Sequence, residues 1–91
     1  MARALSSQKR LRQSEKRRVR NRARISALKT QTRKLTDAVH AKDSATSEQE
    51  FRKTVRMLDQ VAAKRTLHRN TAARRKSRLA RRVNALKAAA T

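Results

Sequence analysis

The sequence contains no glycine, proline or cysteine, and it has a single aromatic residue, Phe51. Glycine and proline most often end helices and form tight turns, so their absence favours long helices joined by short polar segments. Without cysteine there is no disulfide framework and no thiolate metal site. Glycine-rich phosphate loops and nucleophile elbows are excluded too, because both need glycine. No apolar run approaches the roughly 18 residues of a membrane span.

Side chains that carry catalysis or bind metals are equally scarce. The two histidines, His40 and His68, lie in predicted connections, and His40 with Asp43 supplies at most two metal ligands. We therefore expect no enzyme activity, no metal and no cofactor. Phe51 falls on an apolar helix stripe, where it serves the core. Single-strand readers stack bases on several aromatic side chains, so this mode of recognition is disfavoured as well.

Positive charge dominates what is present. The 91 residues include 27 Lys and Arg against 6 Asp and Glu, which gives a net charge of +21. Net charge is +12 over residues 1–34, −1 over residues 35–63 and +10 over residues 64–91. Such a balance predicts a polyanionic partner. Arginine outnumbers lysine, and its planar fork suits bidentate phosphate contacts. The pattern indicates recognition of phosphate and shape.

Apolar residues recur at helical spacing in three places, which predicts an all-α protein. The first stripe is Ile25, Leu28, Thr32, Leu35 and Val39. The second is Phe51, Val55, Leu58 and Ala62, widened by Met57 and Val61, and the third is Ala72, Leu79, Val83 and Leu86. They predict an antiparallel three-helix bundle, in one domain of residues 1–91, with helices at 25–41, 47–65 and 70–88. Ser47 with Glu50 forms a capping-box signature for the second helix, and Asn70 is a candidate cap of the third.

Residues 1–24 form a basic extension of the first helix, which projects beyond the bundle. Its cations point in every direction around a helix axis, so no face is reserved for packing. Repulsion between like charges four residues apart favours disorder in the free protein. Once phosphate removes that repulsion, we expect the helix to extend back to about residue 6.

Several segments of the sequence are distinctive, namely Ser14-Glu15-Lys16-Arg17-Arg18, Asn21, Ala62-Ala63-Lys64 and, above all, the stretch from His68 to Leu79. These segments resemble the S-twenty family of bacterial small-ribosomal-subunit proteins. The resemblance covers nearly the whole chain and implies a three-helix bundle with a long first helix. It further implies a cytoplasmic, ribosomal location, binding to small-subunit ribosomal RNA, early entry into subunit assembly and contact with RNA helices near the bottom of the subunit body. Family members commonly carry glycine where this chain has Arg65.

Charge pattern and resemblance together predict a structural RNA-binding protein with two basic ends. The candidate RNA-binding residues are Lys9, Arg10, Arg12, Ser14, Lys16, Arg17, Arg18, Arg20, Asn21, Arg22, Arg24, His68, Arg69, Asn70, Arg74, Arg75, Lys76, Ser77, Arg78 and Arg81. A projection of the third helix places Ala72, Val83 and Leu86 with Leu79 on a packing face. It places Asn70, Arg74, Ser77, Arg78 and Arg81 on the far face, with Arg75, Lys76 and Arg82 flanking the stripe.

Other classes fit less well. A nucleoid-type DNA-compacting protein is the runner-up, but such proteins often use an apolar wedge or a dimer, and the sequence shows neither. A leucine zipper needs three or four heptads, whereas Leu28 and Leu35 supply only two positions. A membrane-surface helix needs bulky apolar residues opposite its basic face. An organelle transit peptide is disfavoured because its basic pattern continues unbroken into the first helix.

Overall fold

Three helices make up the fold. The computed structural model describes residues 2–90, and side chains for residues 6–89. The helices are α1 (Ala2–His40), α2 (Ser44–Ala63) and α3 (Arg69–Ala90), with no strand in the described part of the chain. The predicted all-α class and three-helix arrangement are confirmed. At 39 residues α1 is the longest helix, and the molecule measures 70 × 21 × 13 Å. The first half of α1 therefore projects beyond α2 and α3.

The core is built from the predicted apolar stripes. Its buried residues are Leu28 and Leu35 of α1, Leu58 and Val61 of α2, and Ala72, Leu79 and Val83 of α3. Val39, Phe51, Met57, Ala62 and Leu67 are half-buried and pack against this cluster. The single aromatic side chain thus belongs to the core margin, as the stripe predicts. Aliphatic side chains hold the three helices together, and their burial is the main source of stability.

The central position belongs to α2, which packs along both other helices, whereas α1 and α3 barely touch. A polar tie also joins α1 to α2. Gln31 is buried, and its Nε2 donates to the Glu50 backbone carbonyl at 3.3 Å and to the Glu50 carboxylate. The three helices therefore form an open arrangement with a cleft between α1 and α3, instead of a bundle in which every pair packs equally.

The turn from α1 to α2 corrects one prediction. The second helix begins at Ser44, three residues before Ser47, and its cap is Asp43, whose carboxylate accepts from the Thr46 backbone N–H at 3.1 Å. An aspartate caps as well as a serine does, and its charge also suits the positive end of the helix dipole. Ser47 instead lies on the buried face of α2 at 0% exposure, and its Oγ has no hydrogen-bond partner within the described residues.

Each of the two connections between helices contains a cationic residue whose backbone lies in the left-handed region of φ and ψ. Lys42 has φ 57° and Arg65 has φ 59°. After α2, the Arg65 N–H donates to the Ala62 carbonyl at 3.0 Å and the Thr66 N–H donates to the Val61 carbonyl at 2.9 Å. This is the Schellman pattern, whose left-handed position is usually glycine. It ends α2 at Ala63, two residues before the predicted limit of 65.

The start of α3 corrects a second prediction. Asn70 lies inside the first turn, and the cap is His68, whose Nδ1 accepts from the Asn70 backbone N–H at 3.1 Å. The His68 carbonyl also accepts from the Ala72 N–H at 3.0 Å. Because Nδ1 is the acceptor, the neutral ring carries its proton on Nε2. The exposed imidazole edge is thus left as a hydrogen-bond donor beside the basic start of α3.

Candidate nucleic-acid interface

The outer half of α1, defined here as residues 6–24, presents its charge to solvent on all sides. Every residue from 6 to 20 is exposed, and so is Arg22. This set includes the predicted residues Lys9, Arg10, Arg12, Ser14, Lys16, Arg17, Arg18 and Arg20. Glu15 lies 3.6 Å from Arg18, and both side chains are about 70% exposed, so this pair contributes little. From residue 6 to residue 20 the outer half is a cationic rod that no other described element of the protein covers.

Two predicted RNA-binding residues are engaged inside the protein. Arg24 Nη1 donates to Asn21 Oδ1 and to Thr66 Oγ1, both at 3.2 Å, and the Thr66 hydroxyl donates to Asn21 Oδ1 at 3.0 Å. All three residues are half-buried. The triangle attaches the connection between α2 and α3 to α1, at the point where the rod leaves the core. Thr66 was not predicted from the sequence because its partners, Asn21 and Arg24, are more than forty positions away.

The packing face predicted for α3 is confirmed. Ala72, Leu79 and Val83 are buried, and Leu86 is half-buried. Of the residues predicted on the opposite face, Asn70, Arg74, Ser77 and Arg81 are exposed, as are His68 and Arg69 at the helix start. The exposed row on α3 therefore combines arginines with hydrogen-bonding polar groups and contains no acidic residue.

The two flanks of α3 differ, which the projection did not foresee. On the flank towards α2, Lys76 Nζ lies 2.7 Å from Asp59 Oδ1, and Lys87 Nζ lies 2.8 Å from Glu48 Oε1. The opposite flank faces the cleft and carries Arg75, Arg78 and Arg82. Arg78 thus belongs to the cleft and not to the far face, and Arg82 joins it. Their spacing of three and four residues places them on the same side of a helix, and this pattern was the sequence signal that could have grouped them.

The acidic residues are concentrated on the middle helix. Glu48, Glu50 and Asp59 match Arg52, Lys53 and Arg56, so α2 carries no net charge. Hydrogen bonding and charge from Lys87 hold the pKa of Glu48 below its ordinary value. Hydrogen bonds from Thr46 likewise lower the pKa of Asp43. Within the described residues α3 has no acid. The cations on its exposed surface therefore have no acidic partner on their own helix, and they are available to bind an external anion.

Other site chemistries find no support in the described part of the chain. No cluster of three histidine, cysteine or carboxylate side chains could hold a metal ion among residues 2–90. None of the helices within residues 2–90 combines the length and the hydrophobicity that a membrane span requires. The features that remain are the cationic rod and the basic surfaces of α3.

Comparison with known proteins agrees with this geometry. A profile of the family described as Ribosomal protein S20 matches residues 2–84. The chain is 46% identical over 88 residues to a protein of Persephonella marina named Small ribosomal subunit protein bS20, covering 97% of this chain and 96% of that one. Proteins of the same name from Koribacter versatilis and Syntrophobacter fumaroxidans are 47% identical over 85 residues and 41% over 86. Those two alignments cover 93% and 94% of this chain, and 96% and 100% of the relatives.

Proposed function

The chain belongs to the ribosomal protein S20 family, and from that membership we propose that it is a structural component of the small ribosomal subunit that binds folded ribosomal RNA. The family is structural rather than catalytic, and its members reside in the cytoplasmic ribosome. The proposed mechanism is neutralisation of phosphate and recognition of RNA shape by the two basic ends of the chain. No small-molecule substrate or cofactor enters it.

The observation that carries this proposal is the separation of charge between the helices. The central helix α2 is neutral, whereas the outer half of α1 and the exposed surface of α3 present cations almost without acids. Each cation that meets a phosphate releases condensed counterions, and this release drives binding. Surfaces on two different helices can neutralise two RNA segments together. RNA elements that repel each other would then be held side by side.

Shape recognition follows from the kinds of side chain that are exposed. The sequence has no Tyr or Trp, and its one Phe packs against the core, so no exposed ring of these three types is offered to a base. Arginine forks and the amide and hydroxyl groups of Asn70 and Ser77 instead suit phosphates and ribose hydroxyls. A DNA-compacting role, the runner-up from sequence, gains no support from the family comparison.

Crosslinking in intact cells tests the proposal directly. The protein would be crosslinked to its nucleic acid, purified under denaturing conditions, and the attached nucleic acid sequenced. We expect small-subunit ribosomal RNA to dominate, with crosslinked peptides from the outer half of α1 and from α3. Competition in solution provides the control, since duplex DNA of equal phosphate content should displace bound ribosomal RNA only at large excess. Equal competition, or crosslinks mainly to genomic DNA, would overturn the proposal.

A further inference from the structure

Thr66 is the point at which the connection between α2 and α3 touches α1. Its hydroxyl accepts from Arg24 Nη1 at 3.2 Å and donates to Asn21 Oδ1 at 3.0 Å. Arg24 Nη1 also donates to Asn21 Oδ1 at 3.2 Å, which closes the triangle. No acid takes part in these three bonds. Neutral groups therefore hold the guanidinium of Arg24, and its charge is not compensated within the triangle.

The Thr66 hydroxyl has no proton left for an RNA phosphate. A hydroxyl donates one hydrogen bond, and phosphate oxygens act as acceptors. The single proton of Thr66 is already donated to Asn21 Oδ1. Any effect of Thr66 on phosphate binding is therefore exerted through the residues that it holds.

Thr66 is itself fixed relative to the core and to α3. Its backbone N–H donates to the carbonyl of Val61 at 2.9 Å, and Val61 is buried. The next residue, Leu67, packs against the core, and α3 begins at Arg69. The Thr66 hydroxyl thus occupies a defined position beside the basic start of α3.

On the other side of the triangle, Asn21 and Arg24 lie on α1 between the core and the exposed residues 6–20. Leu28 is the first residue of α1, among those with described side chains, that is buried. The triangle therefore attaches α1 to the rest of the protein about one turn beyond the core. Extending a helix from a turn that is already formed costs less than nucleating a new one. The outer half of α1 thus extends from a turn whose orientation Thr66 fixes.

We propose that Thr66 is a positioning residue, which holds the outer half of α1 and the start of α3 in one relative orientation so that they bind RNA as a single surface. This inference rests on the proposed function and adds no new contact with RNA. The two helices make few direct contacts, so the triangle supplies a link between them that helix packing does not. When two binding surfaces are held as their ligand requires, binding at one raises the effective concentration of the ligand at the other.

Thr66→Val tests this role, because valine keeps the shape of threonine and removes only the hydroxyl. The matched control is Thr36→Val. Thr36 is also half-buried, but its hydroxyl donates to the Thr32 carbonyl of the same helix at 3.0 Å, so its loss breaks no link between elements. Thr66→Ser restores the hydroxyl, and Thr66→Ala gives a second measurement of its loss. Affinity for deproteinised small-subunit ribosomal RNA would be measured across a salt series, well below the melting temperature of every variant.

Thr66→Val and Thr66→Ala should each bind about 10-fold more weakly than wild type, as expected for loss of a hydrogen bond to a charged group. The salt slope should be unchanged, since no cation is removed. Thr36→Val and Thr66→Ser should bind within a factor of about 3 of wild type, because both keep the link between α1 and the connection.

A weakened outer half distinguishes positioning from a role in the fold alone. Arg12→Gln, Lys16→Gln and Arg20→Gln together reduce what the outer half contributes to binding, so less is left for Thr66 to align. In that background Thr66→Val should lower affinity by less than about 3-fold, whereas independent effects would leave its loss of about 10-fold intact. An undiminished loss there, or equal affinities of Thr66→Val and Thr36→Val, would overturn the positioning role. Failure of wild type to prefer ribosomal RNA over duplex DNA would instead overturn the proposed function.

Discussion

The two halves of α1 have the same helical backbone but are held in place by different forces. The inner half, residues 25–40, buries Leu28 and Leu35 at 1% exposure in the common core. The outer half has no buried residue, and even its large apolar side chains Leu11 and Val19 are 69% and 62% exposed. Strong helix formers and the absence of breakers allow a helix throughout. Burial of apolar side chains stabilises only the inner half.

Charge follows the same division. The outer half has nine cationic residues and one acid, whereas the inner half has three and one. A helical segment that packs against no other helix can carry cations at any angle around its axis. Repulsion between these cations is tolerated because no core has to form around the segment. One continuous helix thus has one half packed in the core and the other half exposed, and the exposed half is the one proposed to bind RNA. The Asn21, Arg24 and Thr66 triangle marks the boundary.

The largest expected effect is loss of binding with salt. If six to ten phosphates are neutralised, wild-type affinity should fall about 10³–10⁵-fold between 50 and 200 mM salt. Replacing Arg12, Lys16 and Arg20 of the outer half by Gln should lower the slope of log affinity against log salt by about 3. Melting temperature should stay the same or rise, since repulsion is relieved.

The inner half provides a control of equal charge. Lys29→Gln, Arg33→Gln and Lys34→Gln remove three exposed cations from the part of α1 that crosses the bundle. This variant should change the slope by clearly less than the outer-half variant does. Identical slopes would mean that RNA responds to total charge alone, and the distinction between the halves would lose its functional meaning.

The rate of amide hydrogen exchange should also differ between the two halves of α1. Amides at 25–40 should be protected in the free protein and in the complex, because the core encloses that face. Amides at 6–22 should exchange fast in the free protein and orders of magnitude more slowly on RNA, since the segment lacks packing partners and carries repulsive charge. The measurement is exchange detected by mass spectrometry with and without ribosomal RNA. Equal protection of residues 6–22 in both states would show that the rod is stable without phosphate.

Truncating one leucine in each half compares their stabilities. Leu35→Ala should lower the free energy of unfolding by roughly 2–5 kcal/mol, because it removes a fully buried side chain and leaves a cavity. Leu11→Ala should change stability by less than about 0.5 kcal/mol, since that side chain is already in water. Chemical denaturation followed by circular dichroism measures both. A comparable loss from Leu11→Ala would reveal packing on the outer half that the exposed surface does not show.

Periodicity was sufficient to predict the core. Leucines at 28, 35, 58 and 79 all fall on the predicted stripes and all are buried. Helix ends were harder to predict. Asp43 and Ser47 lie four residues apart, and both residue types are good N-caps for the start of α2. Burial of Ser47 decided between them, and burial depends on how α2 lies against its neighbours. No local pattern contains that information.

The same limit applies to the candidate RNA surface. A helical projection separated the packing face of α3 correctly, yet it gives only an angle around one axis. It could not show that acids of α2 lie beside one flank while the other flank opens into a cleft. Arg78 was therefore placed on the far face, and the lysines and arginines of the two flanks were treated alike. Long-range contacts such as Lys76 with Asp59 distinguish them only once the fold is known.

The smallest expected effect concerns the residue that ends the inner half. Lys42 adopts φ 57°, where a residue with a Cβ is disfavoured by roughly 1–2 kcal/mol and glycine is not. Lys42→Gly should therefore stabilise the bundle, although glycine's greater freedom in the unfolded chain offsets some of the gain. We expect a net increase of about 1 kcal/mol, or a rise of roughly 4–8 °C in melting temperature. The neighbouring Ala41→Gly is the matched control, because Ala41 does not have positive φ and should lose up to about 1 kcal/mol. Exchange in the outer half should be unaltered by either change, since its amides open without unfolding the core. If Lys42→Gly slowed exchange at residues 6–22 as well, the two halves of α1 would be one cooperative unit, and the division between an anchored half and a free half would be wrong.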